Sequence, residues 1–140
     1  MRDGILLDTC AAIFLMTGAA MAPGTKQVMD RAGALKQVFV SPVTAWEIGL
    51  LARPGRRSAH VFLPSPQAWF ATLLSFRPIA PAPFNVEIAL EISALPDDIH
   101  PDPADRMLIA TARVLDLALM TRDRKILAYA EAGHLRAVGC

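Results

Sequence analysis

Four acidic residues stand directly beside apolar segments of the 140-residue chain. Asp8 ends the run Ile5-Leu6-Leu7, Glu47 sits among Val43, Trp46, Leu50 and Leu51, Asp105 precedes Leu108, Ile109 and Ala112, and Asp123 follows Leu119 and Met120. A carboxylate set into an apolar surface is costly to ionise unless a cation or a donor meets it, so four such positions suggest one shared metal site. Carboxylate and water oxygens suit hard ions, Mg2+ or Mn2+, which keep several waters and bridge protein to phosphate. The chemistry such a site predicts is metal-dependent cleavage of a phosphodiester. A metal-activated water would attack phosphorus in line, and positive charge would stabilise the developing anion.

The elements that must position these acids follow from the hydropathy pattern. Short β-like runs at 4–7, 37–40, 77–80, 118–121 and 135–138 alternate with helical segments at 11–16, 25–35, 43–51, 66–74, 84–94, 104–115 and 124–130. Residues 53–57 and 96–103 read as loops. Such alternation predicts an α/β fold with a parallel sheet covered by helices, in one domain over residues 1–140. Ligands of open α/β sheets gather at the carboxyl ends of strands, where Asp8 and Asp123 fall. Helical spacing places Glu47 and Asp105 on inward faces, in the first turns of their helices.

Blander roles compete at some positions. Asp102-Pro103-Ala104-Asp105 reads as a helix start, with Asp102 as the N-cap and Pro103 at the first position. Asp105, near the positive end of the helix dipole, fits a cap and a ligand equally well. Asp8 or Asp123 alone would pass for a turn residue. Glu47 has no such alternative on an apolar helix face.

Composition sets further bounds. The chain is 54% hydrophobic, too apolar for a disordered segment and apolar enough to suggest a partner or dimer surface. Only 6% of residues are aromatic, which weakens a base-stacking platform. Net charge is +1, but setting the four acids aside leaves fourteen basic residues against nine acids, a scaffold of +5. An acidic pocket in a basic frame suits a metal enzyme acting on a polyanion. Arg53, Arg56 and Arg57 crowd one loop, while Arg122, Arg124 and Lys125 flank Asp123; both clusters are candidate phosphate contacts or merely solvated surface. Cys10 and Cys140 have no zinc-site spacing, and Cys10 is expected on the buried face of the first helix. A reduced, cytoplasmic chain is the expectation from this cysteine usage, and neither secretion nor a membrane span is expected, because Asp8 interrupts the apolar stretch at 5–22 and Arg2 is cancelled by Asp3. Trp46, Trp69 and the Met and Phe residues are expected in the core, with some lining a partner groove.

The ordered segments LLDTCAAIFL, SPVTAWEIGLLA, HPDPADRMLIATAR and ALMTRDRKIL together resemble a PIN-domain ribonuclease of the VapC toxin type, over nearly the whole chain. The resemblance implies that Asp8, Glu47, Asp105 and Asp123 form the metal pocket, supported by a hydroxyl at Thr9 or Thr121. It implies a three-layer α/β/α PIN-like fold with a central parallel β-sheet, RNA as substrate, a homodimer, and a VapB-like antitoxin that blocks the site. Asp102 and Arg106, with His100, match the pattern His-x-Asp-Pro-x-Asp-Arg, which gives this trio a supporting role beside the pocket; a loop histidine such as His100 is otherwise expected to be solvated. Two rival functions remain: a metal-dependent phosphohydrolase of small phosphate esters, and a non-catalytic RNA- or protein-binding PIN scaffold. The first lacks the second Asp expected after Asp8. Retention of all four acids counts against the second.

Overall fold

The computed structural model describes residues 3–18, 21–76, 79–96 and 98–140, apart from the side chain of His60. Five strands, β1 (Ile5–Leu7), β2 (Val38–Val40), β3 (Ile79–Pro81), β4 (Ala118–Thr121) and β5 (Ala137–Gly139), form one sheet in the order β3-β2-β1-β4-β5. Every pairing is parallel, with Leu7 opposite both Val40 and Met120. A parallel sheet is covered on both faces, and this explains why β1 and β4 are buried at every position.

Alternation along the strands divides the core in two. Ile5, Leu7, Val38, Val40 and Met120 face a layer made by α1 (Thr9–Thr17), α2 (Pro23–Ala34), much of α3 (Pro42–Leu51), a 3-10 helix (Arg57–Phe62) and α4 (Pro66–Ser75). Leu6 and Leu119 face α5 (Val86–Ala94), α6 (Pro103–Leu115) and α7 (Arg124–Glu131). The three-layer α/β/α arrangement is therefore the one expected. β1 lies between β2 and β4, so the chain builds outward to β3 and then returns to the other side of β1. That reversal opens the crevice at the carboxyl ends of β1 and β4.

Local chemistry sets the element ends. Asp8, Ser41, Ser65, Asn85, Asp102 and Asp123 each cap a helix with a side-chain oxygen, and Pro follows directly at three of them. Asp8 thereby starts α1 at Thr9, two residues before the expected start, and Asn85 delays α5 to Val86. Part of the expected strand at 77–80 lies outside the described residues, and β3 runs from Ile79 to Pro81. The 3-10 helix, beginning at the last residue of the expected loop 53–57, was not anticipated.

Several core assignments need correction. Trp69 is buried against Phe62, but Trp46 is 52% exposed, and Phe76 and Phe84 also reach solvent. α3 is apolar nearly all round, so its sequence does not say which side meets the sheet. Cys10 is exposed rather than buried, because Ala11 and Ala12 take the inward positions of α1. No described helix is long and apolar enough to cross a membrane.

Candidate active site

The crevice beside β1 and β4 gathers the acids. Asp8 leaves β1 with its amide bonded to the Met120 carbonyl at 3.1 Å, and its carboxylate accepts the Ala11 amide at 2.7 Å. Only 5% of Asp8 is exposed. Two residues beyond β4, Asp123 caps α7 and accepts the Lys125 and Ile126 amides through Oδ1. Thr121 stands beside both acids: its hydroxyl accepts the Asp123 amide at 3.0 Å and acts to lower the Asp8 carboxyl.

Glu47 projects from the second turn of α3, not the first, since the helix begins at Pro42. The Thr9 hydroxyl donates to Glu47 Oε1 at 2.5 Å and lies 3.3 Å from the Thr44 hydroxyl. Thr9 therefore joins the residue after Asp8 to the second helix of the pocket. Asp105 stands in the first turn of α6, where Asp102 as N-cap accepts the Asp105 amide at 3.1 Å. The stripe behind Asp105, Leu108, Ile109 and Ala112, is buried as helical spacing predicted.

His100 is the residue the sequence reading underrated. It is buried, with Nε2 2.8 Å from Asp123 Oδ2 and 3.4 Å from Asp105 Oδ2. Its Nδ1 accepts the Asp102 amide at 3.1 Å. The short spacing from His100 to Asp102 was the available signal, because a turn there folds the ring back onto the helix start. Arg106 braces the same turn by donating to the carbonyls of Pro96, His100 and Ile92.

Crowding of carboxylates shifts their ionisation. Burial, then the charges of Asp102, Glu47 and Asp123, push Asp105 up to about 7, against a partial opposing pull from His100. Burial also raises Asp8, partly countered by the Thr121 and Ala11 hydrogen bonds and reinforced by Asp123. Glu47 is raised by burial and by Asp102 and Asp8, with Thr9 opposing. For Asp123, burial acts upward, but the His100, Ile126 and Lys125 hydrogen bonds outweigh it and the carboxyl is lowered. The exposed Cys10 borders the pocket: partial burial, then Asp8, Asp105 and Glu47, push its thiol up to about 11.

A divalent cation answers this strain directly. Donor atoms of His100, Asp105 and Asp123 lie within 4.8 Å of one another; Asp8 is linked to this group by the charge of Asp123, and Glu47 by those of Asp102 and Asp8. The carboxylate oxygens among these groups fit Mg2+ or Mn2+.

The basic candidates are less closely tied to the acids. Arg53, Arg56 and Arg57 are exposed after α3, and Arg124 and Lys125 are exposed in the first turn of α7. Arg122 donates to the Cys140 carbonyl at 3.0 Å and lies 3.9 Å over the Phe14 ring. His134 stacks on Tyr129.

Residues 5–132 match the family model of the PIN domain. No curated protein matches the chain. Among solved structures, the chain is similar to DNA-bound VapBC from Salmonella typhimurium, with TM-score 0.68 and 15% identity over 97% of each chain. It is also similar to VapBC2 from Rickettsia felis bound to a promoter DNA fragment, with TM-score 0.66 and 10% identity over 96% of this chain and 97% of that one. A toxin-antitoxin complex from Klebsiella pneumoniae has TM-score 0.56 and 25% identity over 89% of this chain and 91% of that one. The two VapBC likenesses, at low identity, are likenesses of fold.

Proposed function

Because the chain belongs to the PIN domain family, whose members are in general nucleases, we propose that it is a metal-dependent endoribonuclease toxin neutralised by a cognate antitoxin. The observation that carries this reading is the convergence of Asp8, Glu47, Asp105 and Asp123 on one crevice, with three of the four carboxyls raised by burial and mutual charge. Carboxyls held in that state gain from a divalent cation, whose charge would offset both their burial and their mutual repulsion.

Asp8, Asp105 and Asp123 would hold Mg2+ or Mn2+, directly or through water, and Glu47 would ligate or orient the attacking water. The bound cation supplies Lewis-acid activation of water and charge stabilisation at phosphorus. Thr9 would hold the Glu47 carboxylate, and Thr121 would hold the Asp123 amide while its hydroxyl favours the Asp8 carboxylate. Phosphates of the RNA would meet Arg53, Arg56, Arg57, Arg124 and Lys125 on the exposed surface, with Arg122 anchored beside them. The VapBC and toxin-antitoxin complexes among the similar structures support an antitoxin partner. An apolar groove of about 430 Å³ between α3 and α4, lined by Ala45, Gly49, Phe70 and Leu74, is a surface on which a partner helix could lie. A homodimer and a cytoplasmic location complete the reading.

Purified, partner-free protein tests it against total RNA with Mg2+ or Mn2+, with chelator, and with Asp8→Asn alongside. Metal-dependent cuts absent from the variant support the nuclease. Equal cutting by the variant removes Asp8 from the mechanism, and turnover of a phosphate monoester instead of RNA favours the phosphohydrolase.

A further inference from the structure

His100 is buried between two of the acids, and its ring is fixed on both sides. A backbone amide can only donate, so the Asp102 N–H at 3.1 Å from Nδ1 requires a lone pair there and leaves the ring proton on Nε2. That N–H donates to Asp123 Oδ2 at 2.8 Å, and Asp105 Oδ2 lies 3.4 Å from the same nitrogen. The two oxygens of Asp123 are then held separately: Oδ1 by the amides of Lys125 and Ile126, Oδ2 by His100. Arg106, on the helix that carries Asp105, binds the Pro96 and His100 carbonyls at 3.1 and 3.4 Å, so the loop bearing the imidazole moves with α6.

We propose that His100 is a positioning residue of the metal pocket: an imidazole whose Nε2–H holds the Asp123 carboxylate in place beside Asp105 for a divalent cation, without ligating the cation itself. This rests on the reading of those acids as cation ligands. A nitrogen that carries a proton has no lone pair to offer a metal. The opposite tautomer would turn an Nδ1 proton against the Asp102 N–H, donor facing donor. The ring therefore acts on the ligands, in the manner of outer partners that orient metal-binding side chains.

The test compares wild type, His100→Ala and His100→Gln as full-length, metal-free chains. Mn2+ and Mg2+ affinities are measured by calorimetry, melting curves are recorded, and the 15N signals of the wild-type imidazole are followed during Mg2+ titration. Nε2 is expected to keep its proton as Mg2+ binds. His100→Ala is expected to weaken both ions about 10-fold with their ratio unchanged, and His100→Gln to recover part of that loss through its amide N–H. If His100→Ala does not fold, His100→Gln decides, since its donor should keep both the fold and partial affinity. Wild-type affinity in a folded His100→Ala would reduce the ring to packing and overturn the proposal. A selective loss of Mn2+ over Mg2+, or loss of the Nε2 proton on metal addition, would make His100 a ligand and overturn it equally. A wild type that binds neither ion refutes the metal-pocket reading and the positioning role together, whereas binding that the variants leave unchanged refutes the positioning role alone.

Discussion

Replacing Asp105 with Asn should stabilise the metal-free fold while destroying the site. Its carboxyl is raised to about 7 from an ordinary value of 3.8. At about 1.4 kcal/mol per pH unit, ionising it in the folded chain costs on the order of 4 kcal/mol relative to the unfolded chain. Because the folded value is raised, the penalty is absent well below 3.8, grows as pH rises, and is complete above about 7. The side chain is 23% exposed and shares its field with neighbouring acids, so about half of that cost, roughly 2 kcal/mol, is the reasonable expectation. Loss of the favourable charge at the start of α6 removes roughly 0.5 kcal/mol of the gain. A net gain of about 1 to 2 kcal/mol corresponds to a melting temperature higher by a few degrees for a chain of this size. Thermal melts in chelator at pH 8 and pH 5 check it, with the gain shrinking by more than half at the lower pH. Mn2+ should then raise the melting temperature of the wild type and do so much less for the variant. An Asp105→Asn chain that melts at or below wild type at pH 8 in chelator, or a gain that persists undiminished at pH 5, would refute the electrostatic account of the pocket.

Other perturbations separate the supporting contacts. Thr9→Val removes the hydroxyl that lowers Glu47; metal titration should show affinity reduced about 10-fold, with a stability loss of about 1 kcal/mol in denaturant melts. Ser41→Ala removes the cap of α3 from a fully buried position and should cost about 1 to 2 kcal/mol whether or not metal is present, as chemical denaturation will show. RNA affinity should fall linearly against the logarithm of salt concentration, with the slope shallower by about 0.7 for each phosphate contact removed in Arg56→Ala or Lys125→Ala; a slope unchanged in both variants would take those side chains out of the interface.

Much of this architecture was legible in the residue order. Apolar runs at β1 and β4 without alternation announced strands buried on both faces, and Ser41-Pro42 and Asp102-Pro103 marked helix starts by local chemistry alone. The acids were visible for the same local reason, since a charge amid apolar neighbours needs a partner. Side-chain environment across elements was not legible. Which face of an all-apolar helix turns inward depends on what packs against it, and so Trp46 emerged at the surface while Ile48 was buried. Cys10 turned outward because the two alanines after it fill the tight space over the sheet.

Local pattern thus suffices for the parallel strands, the helix caps and the identity of the four acids, because propensity, capping and hydrophobic burial act over a few residues. The juxtaposition of those acids is a long-range matter. Strand order β3-β2-β1-β4-β5 brings Asp8 beside Asp123 across more than a hundred residues, and the packing of α3 and α6 over the same crevice adds Glu47 and Asp105. His100 shows the limit most clearly: its own neighbours describe a polar loop, whereas the turn braced by Arg106 buries the ring and sets its Nε2 against Asp123, with Asp105 beside it. The pocket's charge and its hydrogen bonds arise from that convergence, since the energy of crowded carboxylates depends on distances in space and on excluded water rather than on spacing along the chain.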